Sequence, residues 1–442
     1  MLTLNKKQIK EKQKVLHKIV EKKLVIDKKI DYVDNIKIFD ITKKFIIKNN
    51  LVIYGGSAIN SILKKSDKFY GDDEIPDYDF YSDDAQRDAK NLCDLYAKNG
   101  YMYIEAKEGI HTGTYKVYVD FIPVADITSI TPRLMETMRN NSVLNSDKIK
   151  CASPDILRIS MYLELSRPDG NIERWNKVFE RLSLLNINYP IKTKNSECQK
   201  ESATPLLLDT TPEMKIKRDI LKSTLTFIKS DNKLIMFGTT ANTIYQKVDK
   251  KKDLHTSTLF YENPILVTYF DIISIDIDKT LEKLINELEK MNKKTLISET
   301  PQEESEPIVK ISFQQHSGLG IGEIIPEHYI VTVNGFNLIA LYKSEACYSY
   351  IRYKNMNIAT IDTMLSFYLA FLIANRKYYM REKIICMCHY LLELHIRKYK
   401  SKTQLFKRFV LDCIGHQDTL PDILRKKWIT TDKGKKKWIY RP

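Results

Sequence analysis

Cysteine occurs seven times in the 442 residues, an odd number, scattered and never in a CxxC pair. That absence argues against a zinc knuckle and against a disulfide framework, and it predicts a reducing compartment. No apolar run approaches the ~18–20 residues of a membrane span. The lysine-rich N-terminus also lacks a signal-peptide core. Acidic charge is the scarcer sign: 56 Asp and Glu face 71 Lys and Arg, a net charge of +15. A surplus of that size favours a polyanionic partner such as RNA, DNA or an acidic membrane surface, although solubility and lysine bias produce the same total. What is present is ordinary for a soluble globular chain, 43% apolar and 29% charged residues, at a length that suggests two domains or three.

Residues 5–30 combine dense lysine with apolar positions at Ile9, Leu16, Ile19, Val20, Leu24 and Val25, the spacing of an amphipathic helix. A packed helix with a solvated lysine face is favoured over RNA or membrane contact. A second helix over about Ile36–Lys48 leads into LVIYGGSAIN at 51–60. Leu51–Tyr54 reads as a strand, Gly55-Gly56 as a turn and Ser57–Lys65 as a helix. That order points backbone N–H groups and the Ser57 hydroxyl into one pocket, where the positive helix end favours an anion. Asp77 and Asp79, in IPDYDFYS, share one face of the next strand, with Tyr78 and Phe80 on the other. Asp120, in VYVDFIPV, is expected in a third strand, beside Tyr118 and Ile122 and opposite Val117, Val119 and Phe121. Asp72, Asp73 and Glu74 are rival ligands, read instead as a solvated acidic turn between Gly71 and Pro76. A phosphate cradle beside three converging carboxylates is what two-metal phosphoryl or nucleotidyl transfer requires.

Ser153-Pro154-Asp155 opens a helix, Ser as N-cap and Pro at its first position, and a further helix over 171–184 holds Trp175. The linker-like composition of 191–214 separates a catalytic domain at 51–190, preceded by the helical segment 1–50, from a C-terminal domain at 215–442. LIMFGTTANTI at 234–244 echoes LVIYGGSAINSI at 51–62, and the stretch from Ala359 echoes the one from Ala152. Two anchors in one order predict a duplicated architecture. TYFDIIS and YIVTVNGF stand where the acidic strands should be, and only Asp271 is acidic, so the second copy is read as degenerate and non-catalytic. Gly318-Leu-Gly320-Ile-Gly322 is read as a hairpin loop and not a dinucleotide turn. Cys386, Cys388 and His389 lie in a helical stretch and are read as structural. In the tail, Trp428, Trp438 and Tyr440 sit among eight Lys and Arg residues between Arg425 and Arg441. Stacking on RNA bases and anchorage to the core remain equally open for them.

YGGSAIN, IPDYDFYS, VYVDFIPV and the helix SPDILRISMYLELSRP resemble the polymerase-β-type nucleotidyltransferases, and more closely the poly(A) polymerases of the poxvirus and giant-virus group. The likeness is sharp over roughly 50–185. It implies an α+β fold, a nucleotidyltransferase domain with a mixed sheet followed by a related domain without the metal carboxylates. It further implies Gly56 and Ser57 in the triphosphate-binding turn, where the residues themselves also place Gly55 against phosphate, and Asp77, Asp79 and Asp120 as catalytic residues holding two Mg²⁺ or Mn²⁺ ions. ATP is then the donor and an RNA 3′ end the acceptor, in viral mRNA tailing, with the host cytoplasm (the viral factory) and the virion as locations. The gap from Ser57 to Asp77 is longer than in most polymerase-β-like enzymes but fits the viral branch. Poxvirus members work with a processivity subunit and giant-virus members resemble homodimers, a choice these residues do not make. A same-fold transferase acting on a small acceptor and a non-catalytic RNA-binding protein are the competing readings. No short motif encodes the choice of adenine.

Overall fold

The computed structural model describes residues 6–71, 74, 77–109, 113–191, 212–249, 269–296, 308–318, 325–374, 380–398, 400–416, 418, 422 and 425. The chain divides into two compact units, Met1–Ser153 and Pro154–Pro442. The predicted linker therefore lies largely outside the described residues, and the helices that follow Ser153 fall in the second unit, not in the first.

The first unit begins with one helix, α1 (Lys6–Lys48), where two were expected. Its last three turns bury Ile38, Phe39, Phe45 and Ile46, whereas Val15, Leu16, Ile19 and Val20 are exposed. The stripe read as a packed face is thus solvated over those positions. Then come β1 (Val52–Tyr54), α2 (Gly55–Ile62), β2 (Tyr78–Ser82), α3 (Ala85–Lys98), β3 (Ile104–Glu108), β4 (Thr114–Val119), β5 (Ile122–Ser129), α4 (Pro132–Asn140), β6 (Val143–Leu144) and β7 (Lys150–Cys151). The strands form one mixed sheet in the order β3-β4-β5-β2-β1-β7-β6. Alternation fixes its faces. Phe80, Val117, Val119, Ala125 and Ile127 point into the core beneath α1 and α3. There the fully buried Tyr96 donates its hydroxyl proton to the Ile38 carbonyl at 2.7 Å and meets Thr42 Oγ1 at 2.7 Å. Local chemistry agrees with the helix starts: Asp84 caps α3 by accepting from Arg87 N, and Thr131 caps α4 with Pro132 following.

The second unit opens with α5 (Pro154–Leu165) and α6 (Trp175–Asn188), and a helix over Pro212–Ser230 follows. Its strands are β8 (Ile235–Phe237), β9 (Phe270–Ser274), β10 (Ile311–His316), β11 (His328–Val333), β12 (Phe336–Lys343), β13 (Tyr348–Tyr353), β14 (Met356–Ala359) and β15 (Cys413–Ile414). The sheet runs β10-β11-β12-β9-β8-β14-β13-β15, the order of the first sheet with one strand added. Every shared pairing keeps its direction: β1–β2 and β8–β9 are antiparallel, β2–β5 and β9–β12 parallel, β1–β7 and β8–β14 parallel. Even the irregularity recurs, with a register shift after Val117 in one copy and after Val331 in the other. α5 packs against the helix Ile361–Ala374, which follows β14 as α5 follows β7.

One cysteine expectation is corrected. Cys347 and Cys413, 66 residues apart, form a disulfide with Cα atoms 5.3 Å apart. Pairing of Ser349 with Cys413 across β13 and β15 brings them together, a proximity no sequence spacing announces. Cys386 is also disulfide-bonded, whereas Cys93, Cys151 and Cys388 are free.

Candidate active site

β1 delivers Tyr54 to the sheet edge opposite Asp79, and the chain then turns through Gly55 at φ +70°. Glycine is required there twice over. The positive φ disfavours any side chain, and a Cβ would stand 2.2 Å from Asp79 Oδ2. The turn and the carboxylate are therefore in contact, as the sequence reading required. Gly56 and Ser57 are buried in the first turn of α2. The Ser57 hydroxyl donates to the Asp77 carbonyl at 2.6 Å, so it fixes the entry to β2. Asn60 accepts from Phe69 N and Tyr70 N at 2.8 and 3.1 Å and shapes the loop between them. Asp79 lies in β2, whereas Asp77, expected in the same strand, immediately precedes that strand.

Asp120 does not join them. β4 ends at Val119, and Asp120 and Phe121 form a two-residue hairpin turn with φ of +49° and +66°. Asp120 is exposed and lies roughly 15–20 Å along β5 from the level of Asp79, at ~3.3 Å per residue. The carboxylate in direct register with Asp79 across β2 and β5 is Asp126. The reading of Asp120 as a strand residue and metal ligand is thus corrected by one hairpin. The signal was in the second copy: VTVNGF occupies the place of VYVDFI, and Asn-Gly is a strong short hairpin turn. Of the rival acids, Asp72 and Asp73 lie outside the described residues, and Glu74 is exposed.

Asp126 has an uneven environment. Its Oδ2 receives the Lys116 ammonium from the facing position on β4, and its Oδ1 is buried with no hydrogen-bond partner among the described residues. Lys116 is the second residue the sequence reading missed. Burial opposes its charge, yet the Asp126 hydrogen bond and the Asp126 and Asp77 charges hold its pKa above the ordinary lysine value. Tyr54 closes the floor: its ring stacks on Tyr81 at 4.2 Å and its hydroxyl meets Thr128 Oγ1 at 2.7 Å. Burial first, and then the Asp79 charge, push the Tyr54 pKa well up, so the phenol stays neutral. A buried orphan carboxylate oxygen, a cation already drawn to its partner oxygen and an all-oxygen donor set fit a hard divalent cation. Among the described residues the one set of three tightly clustered ligand-type side chains is Asp169, Cys347 and Cys413, whose sulfurs are consumed by the disulfide.

The second unit repeats this geometry without its chemistry. Gly238, again at φ +70°, would place a Cβ 1.8 Å from Asp271 Oδ2, and Phe237 pairs with Asp271 as Tyr54 does with Asp79. Thr240 Oγ1 donates to the Tyr269 carbonyl at 3.4 Å, in the role Ser57 plays for Asp77. Tyr269 thus replaces Asp77, Ala340 faces Asp271 where Asp126 would be, and Ile330 faces Ala340 in place of Lys116. Asp271 is buried and accepts from the Tyr269 hydroxyl. Burial drives its carboxyl pKa up to about 7.

Comparison with known proteins bears on this pair of copies. Residues 40–171 match the family model for the poly(A) polymerase catalytic subunit. That segment is similar to the poly(A) polymerase catalytic subunits. Candidate poly(A) polymerase catalytic subunits of African swine fever virus (isolate Tick/Malawi/Lil 20-1/1983) and of Acanthamoeba polyphaga mimivirus are each 30% identical to it. The first alignment covers 37% of this chain and 36% of the relative, and the second 35% and 27%. The chain thus spans about a third of the length of these curated relatives. The crystal structure of the Megavirus polyadenylate synthase superposes with a TM-score of 0.76 at 18% identity, over 98% of this chain and 84% of that one. The fold shared with that protein therefore extends through both units, and the α+β architecture with a mixed sheet in each copy is present. Among the described residues, no helix is long and apolar enough to cross a membrane.

Proposed function

We propose that this chain extends RNA 3′ ends with adenylate from ATP, without a template. The observation that carries this reading is the Asp79–Asp126 register beside Gly55, together with the loss of the second acid at Ala340 in the companion copy. A turn kept in both copies serves the fold, whereas acids kept in one serve chemistry.

Asp77, Asp79 and Asp126 would hold two divalent ions, Mg²⁺ or Mn²⁺. The ions would lower the pKa of the attacking 3′-hydroxyl and neutralise the triphosphate and leaving oxygens. Gly55 and Gly56 leave the backbone at the start of α2 bare, so its N–H groups can receive phosphate oxygens, and the helix dipole assists. Ser57 keeps Asp77 in place by holding its carbonyl. Asp126, on β5, faces the acceptor side, where the nucleophilic oxygen must lie in line with the departing pyrophosphate. Tyr54 supplies a neutral floor under Asp79. Activity as a homodimer, and work in the cytoplasm of an infected cell, belong to the same proposal and rest on the sequence resemblance alone.

The test is extension of an unlabelled RNA with each nucleoside triphosphate in turn. Adenosine ladders with ATP alone support the reading. A single transfer to a small non-nucleic acceptor, or no incorporation at any metal concentration, overturns it.

A further inference from the structure

The face of the first sheet that carries Asp79 and Asp126 continues beyond them. Direct register runs from Asp79 to Asp126, from Asp126 to Lys116 and from Lys116 to Lys107, one position on each of four adjacent strands. At ~4.8 Å per strand this is a row of two acids followed by two bases. Lys107 also lies over the Tyr118 ring at 4.3 Å, and Glu105 is the acid beside it, 3.5 Å from the ammonium. Toward the hairpin end, the row gives way to an aromatic pair. Tyr103 and Phe121 stack with centroids 5.6 Å apart and planes 28° apart, and they are 62% and 82% exposed. Met102, 83% exposed, adjoins them in the chain.

The fold does not ask for this pair. Phe121 sits at φ +66°, a backbone conformation that a bulky residue rarely adopts, and it buries almost nothing in return. The companion copy builds the same hairpin with Asn334 and Gly335 at φ +47° and +79°. The bond that ties the turn to its neighbour is kept: Asp120 N donates to the Tyr103 carbonyl at 2.8 Å, and Asn334 N to the Lys310 carbonyl at 2.9 Å. By that correspondence, Tyr103 is replaced by Lys310, Phe121 by Gly335, Lys107 by Gln314 and Lys116 by Ile330. The aromatic pair and the basic row vanish together with the counterparts of Asp77 and Asp126, while that of Asp79 stays as Asp271. A residue that violates the local rule in the copy with all three acids, and obeys it in the copy that keeps one, points to use and not to folding.

We infer that Tyr103 and Phe121 form a stacking platform for a base of single-stranded RNA, a few nucleotides upstream of the 3′ end, with Lys107 holding the phosphate between. The inference rests on the reading of this chain as an RNA-extending enzyme and says where the acceptor strand runs. Phe121 lies about five strand residues from Asp126, roughly 15 Å, which a short stacked stretch of RNA spans. An aromatic face accepts any base, and a lysine beside it follows the backbone, the combination that binds single strands without reading their sequence.

The test measures binding of a 5′-labelled oligouridylate to the full chain by anisotropy without ATP, and extension with ATP in parallel. Phe121→Gly installs the residue of the companion hairpin, so it should fold at least as well as the wild type. It is expected to weaken RNA binding roughly tenfold, as is Tyr103→Ala, and Phe121→Trp should restore it. The salt dependence should be unchanged in Phe121→Gly, whereas Lys107→Ala should reduce the log–log slope by about 0.7. Binding of Phe121→Gly within about twofold of wild type overturns the platform. Unchanged RNA binding with altered self-association would assign the surface to a protein interface and overturn it equally. If the wild type extends no RNA but Phe121→Gly loses affinity, the platform stands and the reaction falls. If both proteins bind and extend alike, the reaction stands and the platform falls.

Discussion

At the scale of single residues, the decisive contrast is between two aspartates six positions apart. Asp126→Ala should reduce RNA extension by at least about a thousandfold, whereas Asp120→Ala should keep most of it, as judged by initial rates on one primer. The reverse result would return the third ligand to the hairpin turn. Gly55 and Gly238 form a second matched pair. Alanine at either meets an aspartate carboxylate and an unfavourable φ, so each should cost about 1–3 kcal/mol in urea unfolding. Only Gly55→Ala should also depress the turnover of the folded fraction. Asp271 adds a pH dependence whose sign can be worked out. Its folded pKa of about 7 lies above the ordinary 3.8, so the native state holds the extra proton. Its contribution is greatest below pH ~4, is lost as pH rises toward 7 and is flat beyond. Asp271→Asn keeps an acceptor for Tyr269 and should flatten that part of the stability–pH curve, measured as the urea midpoint between pH 5 and 7.5. Curves of equal slope for the two proteins would refute the assignment.

At the scale of elements, strand, glycine turn and helix were legible because each had its own local signature. The hairpin was not legible in its own stretch, only in the Asn-Gly of the companion copy. VYVDFIPVADIT alternates plausibly through Asp120, and only pairing decides where the chain reverses, since a slip in register moves every side chain. The bulge after Val117 made the count harder still. Lys116 went unnoticed because a lysine on a strand is ordinary until its cross-strand neighbour is known. The long first helix was read as two, although no glycine or proline interrupts it, and its apolar stripe looked like a core. Val15, Leu16, Ile19 and Val20 are exposed, and Ile38 is buried. Alanine at those four exposed positions should therefore leave the thermal midpoint nearly unchanged. Ile46→Ala, at a site with 0% exposure, should cost about 2–5 kcal/mol.

At the scale of the whole molecule, duplication was visible from two short echoes, and the fold extends it to strand order, direction, bulge and turn. The disulfide was not visible, because it depends on β15 joining the edge of the second sheet. Closing a loop of 66 residues, it should contribute about 4 kcal/mol by chain entropy, so Cys413→Ser should lower the unfolding midpoint of the chain measurably. The net charge of +15 acts on the same scale: RNA affinity should fall with salt at a log–log slope near −0.7 for each phosphate neutralised. A flat salt response would remove electrostatics from the account of RNA capture. The basic tail beyond Arg425 lies outside the described residues, and deleting it would show its share of that slope.

The repeated bulge and hairpin also bear on how the chain could be altered. Because the two sheets share a frame position by position, a segment such as β11–β12 supplies a ready template for regrafting β4–β5. A hybrid carrying Asn-Gly at the tip and Lys116 and Asp126 in the strands would separate what the backbone tolerates from what the acceptor demands.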